Sequence, residues 1–497
     1  MYNAWYVDSG LQPNFSHRTN HRRFRMLKHG FTALISVLFL LAPAYPNEKP
    51  NIVVILADDM GYGDVSCNNP DSKIQTPNID LIAKRGLRFV DGHSGGSSCV
   101  PSRYSLMTGR FAVRKKMSLA DGPLIDEKRT TLASMLRSNG YQTSMVGKWH
   151  LGFKPFLQDK KQEPDYSAAL TGGPIDRGFD SFFGMHASLD LPPYFYIRGR
   201  APVQLPKTTI RANDSLGSDE NWNRIQGAFW REGRISEDFD FDQVTPRFFS
   251  EAVNVIESHS AAGQTKPLFL YLALPSPHTP WLPLPQYRGK SGAGMYGDFV
   301  LQVDAGVGRV IQALEKAGIE QNTLLLFSSD NGPVWYDKDI ERFHHRAVGQ
   351  LRGMKFASWE GGHRMPFLTS WPARIPANST SHRTVAFADV FATLASIVGA
   401  DDLPVGTAED SISFLPWLLN PASPPEVRPS IIHDSRTIRN GRWKLIMPKT
   451  NRKNQQTLEP ELYDLKNDLS ETNNLYDAES DLAKRLEQEL TEFLSSM

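Results

Sequence analysis

Beyond residue 50 the chain alternates short aliphatic or β-branched runs with segments of helical period. Residues 51–57 (NIVVILA) are apolar almost throughout, the pattern of a strand covered on both faces. Residues 268–274 (LFLYLAL) and 323–329 (TLLLFSS) repeat it, and residues 144–146 make a shorter version. Between the longer two, residues 299–317 carry an apolar helical period that stops at Gly318. Thr76 and Pro77 predict a helix closing at Gly86, with a hydroxyl at the cap, proline in the first turn and glycine past the end. Residues 131–139 predict another, stopped by Gly140. Strand–helix alternation of this kind predicts an α/β fold, a large mainly parallel or mixed sheet sandwiched by helices.

Two stretches break the rhythm. Residues 153–245 are rich in proline, aromatic and charged side chains without clear period, which predicts long loops over one end of the sheet. After about residue 415, short strands are predicted at 430–433, 443–447 and 461–465, followed by a helix at 478–494. A catalytic-sized domain over 49–415 and a smaller antiparallel α+β domain over 416–497 are therefore expected. The first 46 residues differ from both. Basic residues in His21-Arg22-Arg23-Phe24-Arg25 and at Lys28 precede an apolar run over 31–44, which ends in Ala42-Pro43-Ala44. That run is shorter than the roughly 20 residues a membrane span needs. It reads as a cleaved signal peptide with Met26 as the start, predicting a secreted or periplasmic protein without a stable membrane span. A buried core helix is the competing reading, disfavoured by the proline-rich stretch that follows.

Composition narrows the field further. With 40% hydrophobic and 22% charged residues in 497, the chain can build a sizeable core. Its 55 Lys and Arg against 54 Asp and Glu leave a net charge of +1, which steers it toward neither nucleic acid nor an anionic membrane. The two cysteines, Cys67 and Cys99, are too few for a disulfide framework.

Candidate chemistry gathers where the predicted strands end. Residues 51–57 run into Asp58-Asp59, and residues 144–146 into Gly147-Lys148-Trp149-His150. Residues 268–274 lead to Pro275-Ser276-Pro277-His278, and 323–329 to Asp330-Asn331. Singly, an Asp after a strand is most often a turn or cap, and a His a structural residue. Together they place three carboxylates, an amide, a lysine and two histidines at corresponding positions, where open parallel sheets bind ligands. Asp58, Asp59, Asp330 and Asn331 offer hard oxygen donors, which suit Ca2+ or Mg2+ and not zinc. Calcium is preferred because it tolerates irregular coordination. Ser98-Cys99-Val100-Pro101-Ser102-Arg103 predicts a helix beginning just after Cys99. At that positive end an unmodified thiol is expected to have a lowered pKa, whereas a buried inert cysteine is the plainer alternative.

Cys99-Val100-Pro101-Ser102-Arg103 resembles the C-x-P-S-R motif of the sulfatase family, within the alkaline phosphatase superfamily. Residues 140–150 (GYQTSMVGKWH) are similar to that family's second motif. Asp58-Asp59 with Gly61-Tyr62-Gly63-Asp64 resembles its opening metal segment and Ser329-Asp330-Asn331-Gly332 its closing one. Further likenesses are Pro277-His278-Thr279-Pro280, Leu351-Arg352-Gly353-Met354-Lys355 and Trp359-Glu360-Gly361-Gly362-His363-Arg364. Val100 is bulkier than the small residue usual there. The resemblance runs from about residue 49 to 476 and implies an alkaline phosphatase-like fold. It also implies that the formylglycine-generating enzyme converts Cys99 to formylglycine (3-oxoalanine), and that Asp58, Asp59, Asp330, Asn331 and the converted Cys99 hold one Ca2+. A hydroxyl of the hydrated aldehyde would then attack sulfur, with Asp330 as base. Lys148, Lys355 and His278 would neutralise sulfuryl charge, and His278 or Lys355 would protonate the leaving alcohol. His150 would take the proton that lets sulfate leave, and Arg103 would orient the aldehyde hydrate. The implied substrate is a sulfated small molecule or glycan. Two other readings stay open at this stage: a phosphodiesterase or phosphonate monoester hydrolase of the same superfamily, and an inactive protein that binds sulfated glycans. Pro192-Pro193-Tyr194-Phe195-Tyr196, Arg198, Arg200, Trp222, Trp230 and Arg231 are either a sugar-binding loop surface or packing residues.

Overall fold

The computed structural model describes residues 49–117, 122–154, 164–216, 218, 220–400, 402–424, 428–448 and 458–497. The expected signal peptide and Met26 lie outside the described residues. In chain order the strands are β1 (Asn51–Asp58), β2 (Leu87–His93), β3 (Gln142–Lys148), β4 (Ser181–Met185), β5 (Ile197–Arg198), β6 (Ala201–Pro202), β7 (Thr208–Ile210) and β8 (Gly233–Ile235). They continue with β9 (Leu268–Pro277), β10 (Thr323–Ser329), β11 (Phe367–Ser370), β12 (Ser379–Ala386), β13 (Ile431–Asp434), β14 (Thr437–Asn440), β15 (Trp443–Ile446) and β16 (Glu461–Asp464). The helices are α1 (Pro77–Lys84), α2 (Cys99–Thr108), α3 (Leu132–Ser138), α4 (Val244–Ala261), α5 (Gly294–Lys316), α6 (Asp337–Phe343), α7 (Glu360–His363), α8 (Phe387–Val398), α9 (Leu415–Leu419) and α10 (Ser480–Ser495).

Ten strands form one sheet in the order β12-β2-β11-β10-β1-β9-β3-β4-β5-β6. Its centre, β10-β1-β9-β3-β4, is wholly parallel. β11 runs antiparallel to both its neighbours, and β5 and β6 close the other edge antiparallel, so the sheet as a whole is mixed. Period-2 alternation explains why β1 is apolar at every residue from Ile52 to Ala57. Val53, Ile55 and Ala57 face α1, α4 and α5, where Ile79, Phe248 and Val303 meet them. Ile52, Val54 and Leu56 face the opposite layer, made by Tyr104 of α2, Leu132 of α3 and Phe391 of α8.

Helix α1 has Thr76 at its N-cap position, but the hydroxyl makes no capping bond and Asp304 Oδ1 accepts from Asn78 N and Ile79 N in its place, whereas α3 carries a Thr131–Ser134 capping box. Helix α5 begins at Gly294, ahead of the predicted start at 299. The stretch 153–245 is not loop alone: β4 (SFFGM) lies inside it and pairs parallel with β3. Five residues among prolines and aromatics carry too little alternation to reveal a strand. Toward the C-terminus, β13 to β16 form an antiparallel sheet with α10 laid against it through Ala483, Leu486 and Leu490. This layer shares its apolar cluster with Phe111, Ala386 and Ala388 of the larger sheet's helical side. Leu270 of β9 is fully buried in the α4/α5 layer. Leu270→Ala is expected to cost about 2–5 kcal/mol in urea denaturation, and Leu216→Ala, on the surface, less than about 0.5. Equal effects would contradict the assigned core.

Candidate active site

Parallel pairing of β10, β1, β9 and β3 brings their carboxyl ends side by side, with Ala57 opposite Ser329, Asp58 opposite Pro277 and Gly147 opposite Ala273. The residues that follow these strand ends must therefore converge. Asp58 closes β1, Lys148 closes β3, His278 follows β9, and Asp330-Asn331 follow β10. Gly147 is required one residue before Lys148: its φ is 115° and an added Cβ would stand 1.9 Å from the Ala273 carbonyl oxygen. Asp59 and His150 both adopt left-handed backbone, φ 63° and 57°, the kind of local strain that concentrates at functional sites.

Cys99 enters as the first residue of α2, with Ser98 as N-cap. Its Sγ lies 3.3 Å from Asp58 Oδ1 and 3.7 Å from Lys355 Nζ. Lys148 Nζ donates to Asp58 Oδ2. Arg103, also on α2, donates from Nε to Asp330 Oδ2 at 3.0 Å and brings Nη2 within 3.4 Å of Asp58 Oδ2. Its Nη1 holds the Lys148 carbonyl at 2.9 Å, so this one guanidinium braces three strand ends. Lys355 Nζ donates to Asp59 Oδ2 at 2.8 Å, and Asn331 Nδ2 donates to Asp59 Oδ1 at 2.6 Å. His278 Nδ1 donates to the Thr279 carbonyl at 2.6 Å, leaving Nε2 facing Asp59 Oδ2 at 3.7 Å. All ten predicted site residues are buried in one cage.

Burial alone would raise the Asp58 carboxyl, but Lys148, His278 and Arg103 outweigh it and hold the group well below the usual carboxylate range. Asp330 is pushed up by burial and by the Asp58 charge, against the pull of Arg103. Two neighbouring carboxylates driven apart in this way are a natural seat for a cation. The donor chemistry agrees: three carboxylates converge with Asn331 Oδ1, a buried oxygen without a partner among the described residues. Ligand atoms of Asp58, Asp59, Cys99 and His278 lie within 4.8 Å of one another. The residues therefore fit a hard divalent cation. The Cys99 thiol departs from expectation. Burial, with the Asp330 and Asp58 carboxylates, pushes it up, overriding the helix end that was expected to lower it. An unmodified Cys99 is a poor thiolate in this cage. Cys67 is a separate, half-buried free thiol, raised to about 12 by burial and Asp80.

A family model described as Sulfatase matches residues 50–400. The chain belongs to the sulfatase family. It is 32% identical to an N-acetylgalactosamine-6-O-sulfatase of Bacteroides thetaiotaomicron, over 91% of this chain and 93% of that protein. Human arylsulfatase G is 31% identical over 78% of this chain and 72% of its own length. Among solved structures, a sulfatase from a study of glycosaminoglycan metabolism by Bacteroides thetaiotaomicron superposes with a TM-score of 0.77 at 29% identity, over 90% of this chain and 100% of that one.

The mouth of the sulfatase site was only partly foreseen. A cavity of about 110 Å3 opens over the cage, lined by Asp190, Ile225, Arg231, His278, Lys355 and Phe356 among others. Arg231 pairs with Asp190, whose second carboxylate oxygen is buried 4.0 Å from His278 Nδ1 and has no hydrogen-bond partner among the described residues. Phe356 is 68% exposed beside Lys355, on a left-handed backbone of φ 72°. Nothing in the local pattern marked Asp190 or Phe356; an Arg-Gly-Met-Lys match ending one residue before Phe356 was the nearest signal. Of the aromatic loop residues, Tyr194, Phe195, Tyr196 and Trp222 are core, and Trp230 stacks on Phe241. Arg198 and Arg200 pair with Glu251 and Asp176, which leaves Arg231 alone of that group lining this cavity.

His150 is held neutral: burial first, then Lys148 and Arg103, lower its pKa well below 6.5. In the unfolded chain it takes up a proton as pH falls through about 6.5, so its contribution to stability is present above that value and lost below it. With metal chelated, His150→Gln is expected to lose less stability than the parent between pH 7.5 and pH 5, by up to about 2 kcal/mol in urea titrations. Identical pH slopes would contradict a neutral buried His150.

Proposed function

We propose that this sulfatase hydrolyses sulfate esters on a carbohydrate, using a formylglycine made from Cys99 and one calcium ion. The observation that carries the reading is the seat of Cys99: a helix N-terminus facing Asp58 at 3.3 Å and Lys355 at 3.7 Å, in a cage whose thiol is disfavoured as a thiolate. Asp58, Asp59, Asp330 and Asn331 Oδ1 would hold the cation. When present, calcium supplies charge for the sulfuryl oxygens and formylglycine supplies a hydrated aldehyde as nucleophile.

The chain's own residues do the rest. Asp58, Asp59 and Asp330 are balanced by Arg103, Lys148 and Lys355, so a divalent cation would leave the cage positive and complementary to a sulfate ester. Arg103 holds Asp58 and Asp330 in place. Lys355 lines the cavity, and Lys148, buried against Asp58, would add positive charge from behind it. A protonated His278 Nε2, or Lys355 Nζ, donates to the departing oxygen. His150, kept neutral by burial, accepts a proton at Nδ1, which has no partner among the described residues.

The carbohydrate assignment is supported by the names of the bacterial relative and structure, and by the mouth itself. Arg231 and Asp190 line the mouth as a polar pair, and the exposed Phe356 offers an apolar face for a ring. The leader over residues 1–46 supports export to the periplasm or medium, with the formylglycine-generating enzyme as the partner in maturation. No helix among the described residues is long and apolar enough to cross a membrane.

The test is turnover of a panel of 6-O-, 4-O- and 3-O-sulfated monosaccharides beside an aryl sulfate and its matched phosphate ester. The expected result is preferential release of sulfate from one sugar, with activity lost to chelator and restored by Ca2+. Cys99→Ser should lower kcat by about 1,000-fold or more and accumulate sulfated protein. Multiple turnover by Cys99→Ser near the parent rate, or a preference for the phosphate ester, would contradict the reading.

A further inference from the structure

Behind the loop that leads into α2 lies a second group of buried, chemically capable side chains that sulfate ester hydrolysis does not use. His93 ends β2, His363 lies in α7 and His433 in β13, and all three are at most 5% exposed. His363 stacks on His433 with ring centroids 3.8 Å apart, and His93 lies 5.2 Å from His433. One ring nitrogen from each comes within 4.8 Å of the others.

The hydrogen bonding around the rings is that of metal ligands. His93 Nε2 lies 2.8 Å from Asp91 Oδ1, and His363 Nε2 lies 3.1 Å from the Ser358 carbonyl oxygen. The two Nδ1 atoms lie 3.1 Å apart, one donating to the other while no ion is bound. Both would present lone pairs to a metal once N–H groups sit on the outer nitrogens and Arg439 and Lys444 turn their own N–H groups to Asp91 and Glu471, which they already hold. Metal-bound histidines characteristically donate their other N–H to a carboxylate or carbonyl in this way. His433 is more telling. Both its ring nitrogens are buried and neither has a partner among the described residues, a costly arrangement for an imidazole unless a ligand binds there. Burial lowers the pKa of all three rings, which favours the neutral form that a metal binds.

Surrounding charge does not oppose a cation. Arg439 and Lys444 approach the outer nitrogens of His93 and His363 at 2.7 and 3.2 Å. Arg439, Arg364 and Lys444 are in turn matched by Asp91, Glu360 and Glu471. We propose that His93, His363 and His433 form a second metal site, for a zinc-like divalent transition-metal ion. Three imidazole nitrogens suit such an ion and not calcium. The site would fasten the C-terminal sheet, through His433, to the loop that carries Cys99. That loop already hangs on His363: Ser94 N donates to its carbonyl at 2.8 Å, and Ser94 Oγ and Ser102 Oγ both hold the Gly96 carbonyl, at 2.7 and 3.0 Å.

The test is metal counting on the full-length mature protein, stripped with chelator and titrated with ZnCl2 while excess Ca2+ occupies the catalytic cage. One zinc per chain should survive gel filtration and raise the thermal midpoint. Co2+ in its place should give visible d–d absorption. His433→Phe, which keeps the stacked ring, and His93→Gln should each abolish zinc retention and the cobalt spectrum while calcium content stays at the parent level. A parent protein that retains no zinc, or zinc retention unchanged in both variants, overturns the proposal. Neither readout depends on sulfatase turnover, so failure here is separable from failure of the proposed reaction.

Discussion

Three carboxylates and three cationic side chains share a volume from which water is largely excluded, and the rest of the molecule is arranged to keep them there. Asp58, Asp59 and Asp330 cannot lie together unless positive charge lies between them. At an effective dielectric near 20, a single pair at 4 Å is worth about 4 kcal/mol, and removing one partner strands the other. Arg103, Lys148 and Lys355 meet this demand from three directions. What the side chains leave over, chiefly the bare oxygen of Asn331, is suited to a metal ion. The cage is thus balanced before any cation enters, and a bound cation would make it an anion receptor.

Adjacent parallel strands are what make such a concentration of charge possible. β10, β1, β9 and β3 are buried on both faces and end in register, so each strand exports its next residues to the same edge. The apolar runs that hold the sheet and the charged residues of the candidate site are consecutive in sequence. Stability and chemistry are therefore divided along each strand and not between separate regions. Helix α2 completes the edge by delivering Cys99 and Arg103 from one element.

This division is also why much of the molecule was legible from sequence. Runs such as NIVVILA followed by Asp-Asp carry both the strand and the candidate site, Pro77 marks the first turn of α1 and Thr131 the cap of α3. Less was visible where tertiary contacts decide. β4 is five residues long and took its strand identity from β3. Tyr194, Phe195, Tyr196 and Trp222 had the composition of a sugar platform but are packed into the interior. Asp190 and Phe356, which border the cavity, have unremarkable neighbours in the chain. The helix end that would lower the Cys99 thiol is local in sequence, whereas its burial and the Asp330 and Asp58 carboxylates, which raise it, come from distant elements. The three histidines are similarly dispersed, on two strands and a short helix that meet only on folding.

The account turns on Cys99 being converted to an aldehyde and not remaining an inert thiol. The most direct measurement is the mass of the peptide carrying Cys99, from protein secreted by a host with a working formylglycine-generating enzyme. The account predicts a peptide lighter by the exchange of the thiol and one hydrogen for a carbonyl oxygen, trapped by an aldehyde-reactive hydrazide. An intact thiol in that host, in protein that nonetheless releases sulfate, would contradict it.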